Sequence, residues 1–458
     1  MIRIVLLLIL LGATSFNCLA VATHSIDELI AEFEEKYKLS GTVLVVKNGE
    51  ISYSQAVGNA DDVTSDPNTV HTQFDIGSIQ KNLTAVLILQ AVDNELIKLS
   101  DSLEAFDFEF SDSRAQSITI QQLLEHRSGF ADIFTAAYRE SPSYYDSLDK
   151  RLAILKEAPL LFEPGTDRHY SNYGYVLLGA ILEKVTGKNY WELVEQNLLK
   201  PARTHIHPSF QVTHQSVSAT PYHFNFASER VAVAASMREH LSPAGGGELS
   251  ILELYGFYHA LFDTNQFLSP QGLQTFRALQ SDPSQWLSFG GGRGVSTAVE
   301  IDFENDLWVM VLANTDRLVA EKLSTRLRSY LLNGEYTEVK APPEIFAYQF
   351  YLNSGAEVFN AQFKSHYEAS AYQVFIGRVI TNLARELVAA DDAESSIFFF
   401  SYLTQLFPTV PDVYDGLAFG YFEAGDTNRA QQAFMKAVGL MPGYESQFNA
   451  NNYEVDTE

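Results

Sequence analysis

Ser78-Ile79-Gln80-Lys81 sets an alcohol and an amine three apart at the head of a strongly apolar stretch. On a helix that spacing puts both groups on one face, where the amine reaches the hydroxyl. A serine hydroxyl is a weak nucleophile at neutral pH and needs a base. A lysine, with a free pKa near ~10.4, serves as that base only where its charged form is disfavoured. Burial in an apolar helix supplies the condition, and the helix N-terminus favours negative charge on the oxygen. Ser147-Leu148-Asp149-Lys150 has the same spacing, but it follows a polar, Tyr- and Ser-rich stretch and no apolar helix follows it. It reads as a solvated helix face.

Tyr170-Ser171-Asn172 lies much later, after Pro164-Gly165 and before an apolar helix. A phenol there relays a proton between nucleophile, lysine and leaving group. An amide that both donates and accepts orients Lys81 and holds a substrate carbonyl. Tyr351-Leu352-Asn353 repeats the pattern inside a helical tail and reads as structural. The third element is Ser288-Phe289-Gly290-Gly291-Gly292-Arg293-Gly294, immediately before a strand. Glycines at a strand edge let a ligand approach the backbone, and an N–H there would pair with that of Ser78 as an oxyanion hole. A dinucleotide loop would follow a strand and open a helix, so that reading fails, and a plain loop stays the competing one.

The elements that must position these groups are legible in part. Ile26 to Tyr37 has helical periodicity, with Ile26, Leu29, Ile30 and Phe33 on one face. Thr42 to Val46 and Ile51 to Val57 flank Asn48-Gly49, a hairpin signal. The helix after Ser78 is apolar on most sides and reads as buried. Residues 118–125 start another helix, and 173–198 become amphipathic helix. Val295 to Ile301 and Leu307 to Leu312 read as strands around Asn305-Asp306, and Val319 to Leu332 as a helix. Strands at both ends with helices between predict an α/β domain whose sheet joins early and late segments.

The three motifs, in this order, resemble the serine β-lactamase-related family, which includes class C β-lactamases, D-alanyl-D-alanine carboxypeptidases and related esterases. Ile118 to Gly129 (ITIQQLLEHRSG), Pro164 to Gly187 and Ser242 to Gly247 (SPAGGG) look like further segments of that family, so the resemblance spans roughly residues 25–332. It implies an antiparallel sheet flanked by helices, with an all-helical subdomain. It implies acylation of Ser78, base and acid roles shared by Lys81 and Tyr170, and a second oxyanion N–H from Gly291. Asn172, Ser288, Gly290, Gly291 and Arg293 would contact substrate. Ser288 stands where the family usually carries Lys or His, and Arg293 is near enough in sequence to compensate. That departure favours an esterase or D-amino-acid peptidase over a true β-lactamase. It also motivates the alternative of an inactive binding protein of the same fold. With no class A type Glu motif, deacylation would fall to the Tyr/Lys pair.

The chain carries 31 Lys+Arg against 57 Asp+Glu, a net charge of −26. Such a surface repels phosphate backbones and anionic lipid, so nucleic acid is not a partner, and a small-molecule or peptide substrate is expected. With 46% hydrophobic residues a sizeable core is assured. Met1-Ile2-Arg3, the apolar run Ile4 to Gly12 and Ala20-Val21-Ala22 read as a signal peptide over 1–22, giving a periplasmic or secreted protein. Cleavage there removes Cys18, the single cysteine, and with it any disulfide or Cys-based metal site; Asn17 is a poor neighbour for a lipidated Cys. No later run is long enough to insert stably in a membrane. No cofactor or metal is expected: His205-Ile206-His207 lacks companion ligands, and His126 and His169 read as structural. Asn82-Leu83-Thr84 is a sequon inside the predicted catalytic helix and is discounted.

Pro342-Pro343 separates a hydrolase domain at 23–340 from a helical region at 343–450, with a disordered tail at 451–458. In that region Ile380, Leu383, Ala384, Leu387, Phe400 and Pro408 recur about 34 residues later as Tyr414, Leu417, Ala418, Tyr421, Phe434 and Pro442. The period, small residues at a helix crossing and terminal Pro predict tetratricopeptide-like repeats, completed by extra helices at 344–375. Such repeats are a possible docking surface for a protein partner.

Overall fold

The computed structural model describes residues 18–205, 217–238 and 241–448. Residues 1–17 of the expected signal peptide, the 451–458 tail and Ile206-His207 lie outside them. The main sheet has five antiparallel strands: β1 (Gly41–Lys47), β2 (Glu50–Val57), β3 (Gln285–Gly292), β4 (Val295–Asp302) and β5 (Leu307–Ala313), in the order β2-β1-β5-β4-β3. The first two strands are thus joined to the last three across the whole intervening chain. β1 and β2 turn at Asn48 and Gly49, at φ +53° and +75°, the two left-handed positions that a tight hairpin requires.

The unbroken apolar runs of β1 and β5 have a physical reason: both faces of the sheet are covered. Val43, Val45, Val309 and Val311 enter one core with Ile26, Leu29, Ile30 and Phe33 of α1 (Cys18–Tyr37). Leucines of α5 (Val319–Asn333) close that side. Leu44, Val46, Trp308, Met310 and Leu312 face the opposite core. There they meet α2 (Gln80–Asp93), α3 (Asn172–Thr186) and α4 (Ile251–Phe262). Alternation by twos assigns each strand residue to one core or the other.

The glycine-rich segment differs from the sequence expectation. It does not merely precede a strand; it is part of β3, the edge strand, with Gly290 opposite Thr297 and Gly291 opposite Ser296. Cross-strand pairing with β4 overrides the low strand preference of glycine, and the turn proper shrinks to Arg293 and Gly294.

The chain after Pro342 is helical: α6 (Pro343–Ala369, bent at Gly355), α7 (Ile376–Ala389), α8 (Ala393–Leu406), α9 (Pro411–Glu423) and α10 (Thr427–Leu440). Ala384 and Ala418, equivalent in the sequence repeat, are both fully buried. Among the described residues no helix is long and apolar enough to cross a membrane.

Candidate active site

Ser78 sits on a single 3₁₀ turn, Gly77–Ile79, that leads into α2. Asp75 Oδ1 accepts the Gly77 N–H at 2.7 Å, and Gly77 takes φ +51°. The turn crosses β3 at backbone contact. A Cβ on Gly290 would fall 2.2 Å from the Ile76 carbonyl oxygen and 3.0 Å from Ser78 N; one on Gly77 would fall 2.8 Å from Gly291 N. Only paired glycines allow this approach. It brings the amides of Ser78 and Gly291 to one patch, the arrangement an oxyanion hole needs.

Lys81 is 6% exposed. Its Nζ donates to Ser78 Oγ at 3.0 Å and to the Ala244 carbonyl at 2.5 Å. The Tyr170 hydroxyl lies 2.8 Å from the same Oγ. Lys81 Nζ also sits 5.0 Å from the centre of the Tyr170 ring and 5.8 Å from that of Tyr175. The alcohol at 78 therefore lies between an amine and a phenol that come from distant parts of the chain.

Tyr170 is held by neighbours the sequence did not single out for that task. Its ring packs on His126, with centroids 4.6 Å apart. His126 Nδ1 accepts the Ser171 N–H at 3.3 Å, and Ser171 Oγ donates to the Ala131 carbonyl at 2.9 Å. Burial, followed by the positive charges of Lys81 and Arg168, pushes the His126 pKa down to about 3. The imidazole is neutral at physiological pH, an acceptor and a stacking plate for Tyr170. Asn172 donates from both its backbone N and Nδ2 to Asp132 Oδ1, at 3.2 and 2.9 Å. Sequence reasoning missed Asp132. The available signal was a short acidic side chain just beyond the Gly129 turn. The Ser242–Gly247 segment is marked in sequence by its glycines, and nothing in it points to the Ala244 carbonyl as the partner of Lys81.

A cavity of about 610 Å3 opens on this cluster, lined by Ser78, Tyr170, Asn172, Gly291, Gly292 and Arg293 among others. Ser288 and Gly290, expected to contact substrate, do not line it. Ser288 is turned toward α2, where its Oγ accepts from Asn82 Nδ2 at 2.6 Å; Asn82 Nδ2 also donates to the Tyr258 hydroxyl at 2.6 Å. Side chains alternate along a strand, so once Gly291 faces the cavity Ser288 takes the helix side. Gly290 serves close packing. The second Ser-x-x-Lys is a helix start: Ser147 Oγ accepts the Lys150 N–H at 3.4 Å, and Lys150 pairs with Asp146 at 2.9 Å.

The charge of the cavity runs against that of the whole protein. Among the described residues, Arg139, Arg151, Arg238 and Arg293 line it, with Asp75 as the one carboxylate. Among the described residues no group of three or more His, Cys, Asp or Glu side chains is placed to hold a metal ion.

Residues 26–331 match the Beta-lactamase family. A probable fimbrial assembly protein FimD, serogroup H1, of Dichelobacter nodosus is 27% identical over 71% of this chain and 87% of its own length. A D-aminopeptidase of Brucella anthropi is 30% identical over a shorter stretch, 39% of this chain and 35% of its own. Among solved structures, a penicillin binding protein from Bacillus halodurans superposes with a TM-score of 0.55 at 25% identity, covering 64% of this chain and 96% of that one.

Proposed function

This chain belongs to the beta-lactamase family through residues 26–331, and on that premise we propose that it is a serine hydrolase that forms an acyl-enzyme on Ser78. One observation carries the reading: Ser78 Oγ lies 3.0 Å from Lys81 Nζ and 2.8 Å from the Tyr170 hydroxyl. Lys81 and Tyr170 take the Ser78 proton as Oγ attacks a carbonyl carbon. The oxygen that gains charge is met by the N–H groups of Ser78 and Gly291. The proton then passes to the leaving group, and the same pair activates water to release the acyl group.

The bond cleaved is an ester, amide or peptide bond, with an esterase or D-amino-acid peptidase activity favoured over a true β-lactamase. Ser288 in place of a cation supports that preference, and so does the similarity to a D-aminopeptidase. Arg293 and its neighbouring arginines suit a substrate with a negative group. The signal-like N-terminus supports export, checked by N-terminal sequencing of the mature protein. The α7–α10 hairpins fit tetratricopeptide-like units. The rival reading, an idle relative that only binds a partner, draws on Ser288 alone.

A fluorophosphonate probe and a penicillin probe separate the two. Labelling of the wild type that disappears in Ser78→Ala supports the enzyme, and equal labelling of both removes Ser78 from the mechanism. Hydrolysis of a p-nitrophenyl ester, a D-Ala-D-Ala peptide and a chromogenic cephalosporin then ranks the substrates.

A further inference from the structure

The strand edge that carries Gly291 is anchored beyond the active site. After Gly291 the chain turns at Arg293 and Gly294 into β4. Gly294 takes φ +75°, and a Cβ there would lie 2.6 Å from Tyr222 N. Its N–H donates to Asp316 Oδ2 at 3.2 Å. The same buried carboxylate accepts the Phe224 N–H at 2.9 Å and meets His223 Nδ1 at 2.6 Å. One side chain thus ties together the β3–β4 turn, the hairpin at Tyr222–Phe224 and the link from β5 to α5.

The next two residues, Arg317 and Leu318, have φ of +62° and +57°. Two consecutive left-handed non-glycine residues are strained and persist only where neighbours over-determine them. Here the neighbours come from α5, where Lys322 Nζ donates to the Arg317 carbonyl, from the Tyr222–Phe224 strand and from the C-terminal helices. Arg317 Nη2 donates to both carboxylate oxygens of Glu386 on α7, each at 2.8 Å, and Nη1 lies 3.7 Å from Glu344 on α6. Arg317 Nε donates to the Phe224 carbonyl at 2.5 Å. The Leu318 side chain reaches within 3.9 Å of the place a Gly291 Cβ would occupy. From Glu386 to Gly291 the path contains no gap.

We propose that Asp316 and Arg317 are positioning residues through which the C-terminal helices hold the Gly291 edge against Ser78. The proposal rests on the reading of Ser78 as the acyl acceptor. An oxyanion donor works only if it is fixed before charge develops, and it interacts most strongly with the transition state. Loosening its anchor therefore lowers kcat and leaves KM nearly alone. In this arrangement the C-terminal helices are part of the active-site scaffold.

The test uses the full chain with Arg317→Gln, the milder Glu386→Gln, and both together. Hydrogen–deuterium exchange is followed over residues 290–295, with kcat and KM for a p-nitrophenyl ester and the melting temperature. Each single variant should exchange faster at 290–295 and lose about tenfold in kcat, with KM within about twofold. The double variant should be no worse than Arg317→Gln alone, because that change already removes the link to Glu386. Unchanged exchange at 290–295 overturns the proposal, as does a lowered melting temperature with kcat intact. A wild type inert toward both ester and fluorophosphonate would sink the Ser78 reading instead, while the exchange data still decide the coupling.

Discussion

At the scale of single residues, the amine of Lys81 has the clearest consequence. It touches the nucleophile directly and also bonds the Ala244 carbonyl. Lys81→Ala should slow probe acylation by ~100- to 10,000-fold, with an unchanged circular dichroism spectrum as the control. His126 gives a pH prediction. Its pKa falls from an ordinary 6.5 to about 3 in the native protein. Between those values the unfolded chain binds a proton that the native ring refuses, so stability falls as pH drops through that window. His126→Asn keeps an acceptor near the Ser171 N–H and removes the titration. Denaturant unfolding from pH 7 to 3 should show a shallower loss in that variant; an identical slope would exclude His126 as the source. Arg293→Ala tests the charged cavity wall: KM should rise for an anionic ester and stay level for its neutral analogue.

At the scale of elements, the site depends on backbones that touch. A methyl on Gly290 would fall 2.2 Å from the Ile76 carbonyl oxygen and 2.4 Å from Thr297 Oγ1. Gly290→Ala must therefore push β3 from the Ser78 turn. It should cost about 1–3 kcal/mol of stability and remove most acylation, read from thermal melts and probe labelling. Gly179 plays a similar part on α3, where a Cβ would lie 2.1 Å from Pro243 Cγ. That contact seats α3 against the turn whose Ala244 carbonyl holds Lys81. A hairpin at Asn48-Gly49 and a buried helix after Ser78 were legible because their signals are local. The strand at 285–292 was not, because glycine joins a strand only when a partner supplies the pairing.

At the scale of the molecule, the hydrolase part and the helical tail meet at specific points. Phe226, from the hydrolase part, is 7% exposed and buried in the tail's aromatic cluster, with its ring edge-on to Tyr348 at 4.8 Å. Phe226→Ala should cost about 3–5 kcal/mol and split thermal unfolding into separate transitions for hydrolase and tail. A single unsplit transition would show that other contacts suffice. The net charge of −26 repels an anionic substrate at long range, while the cavity arginines attract it at short range, where salt screens least. Raising salt should therefore speed capture of an anionic ester relative to its neutral analogue, read from kcat/KM.

By itself the sequence determined the chemistry on offer: an alcohol with an amine three residues on, a phenol before an apolar helix, glycines beside a strand, and the two faces of each element. These follow from residue type and spacing, which act over a turn of helix or a pair of strands. Only the tertiary structure decided which groups meet. It turned Ser288 toward Asn82, gave Lys81 the Ala244 carbonyl, set His126 under Tyr170 and Asp132 under Asn172, and ran a line of contacts from Glu386 to Gly294. Such contacts depend on how sheet and helices pack across hundreds of residues of chain, and no local pattern encodes that geometry.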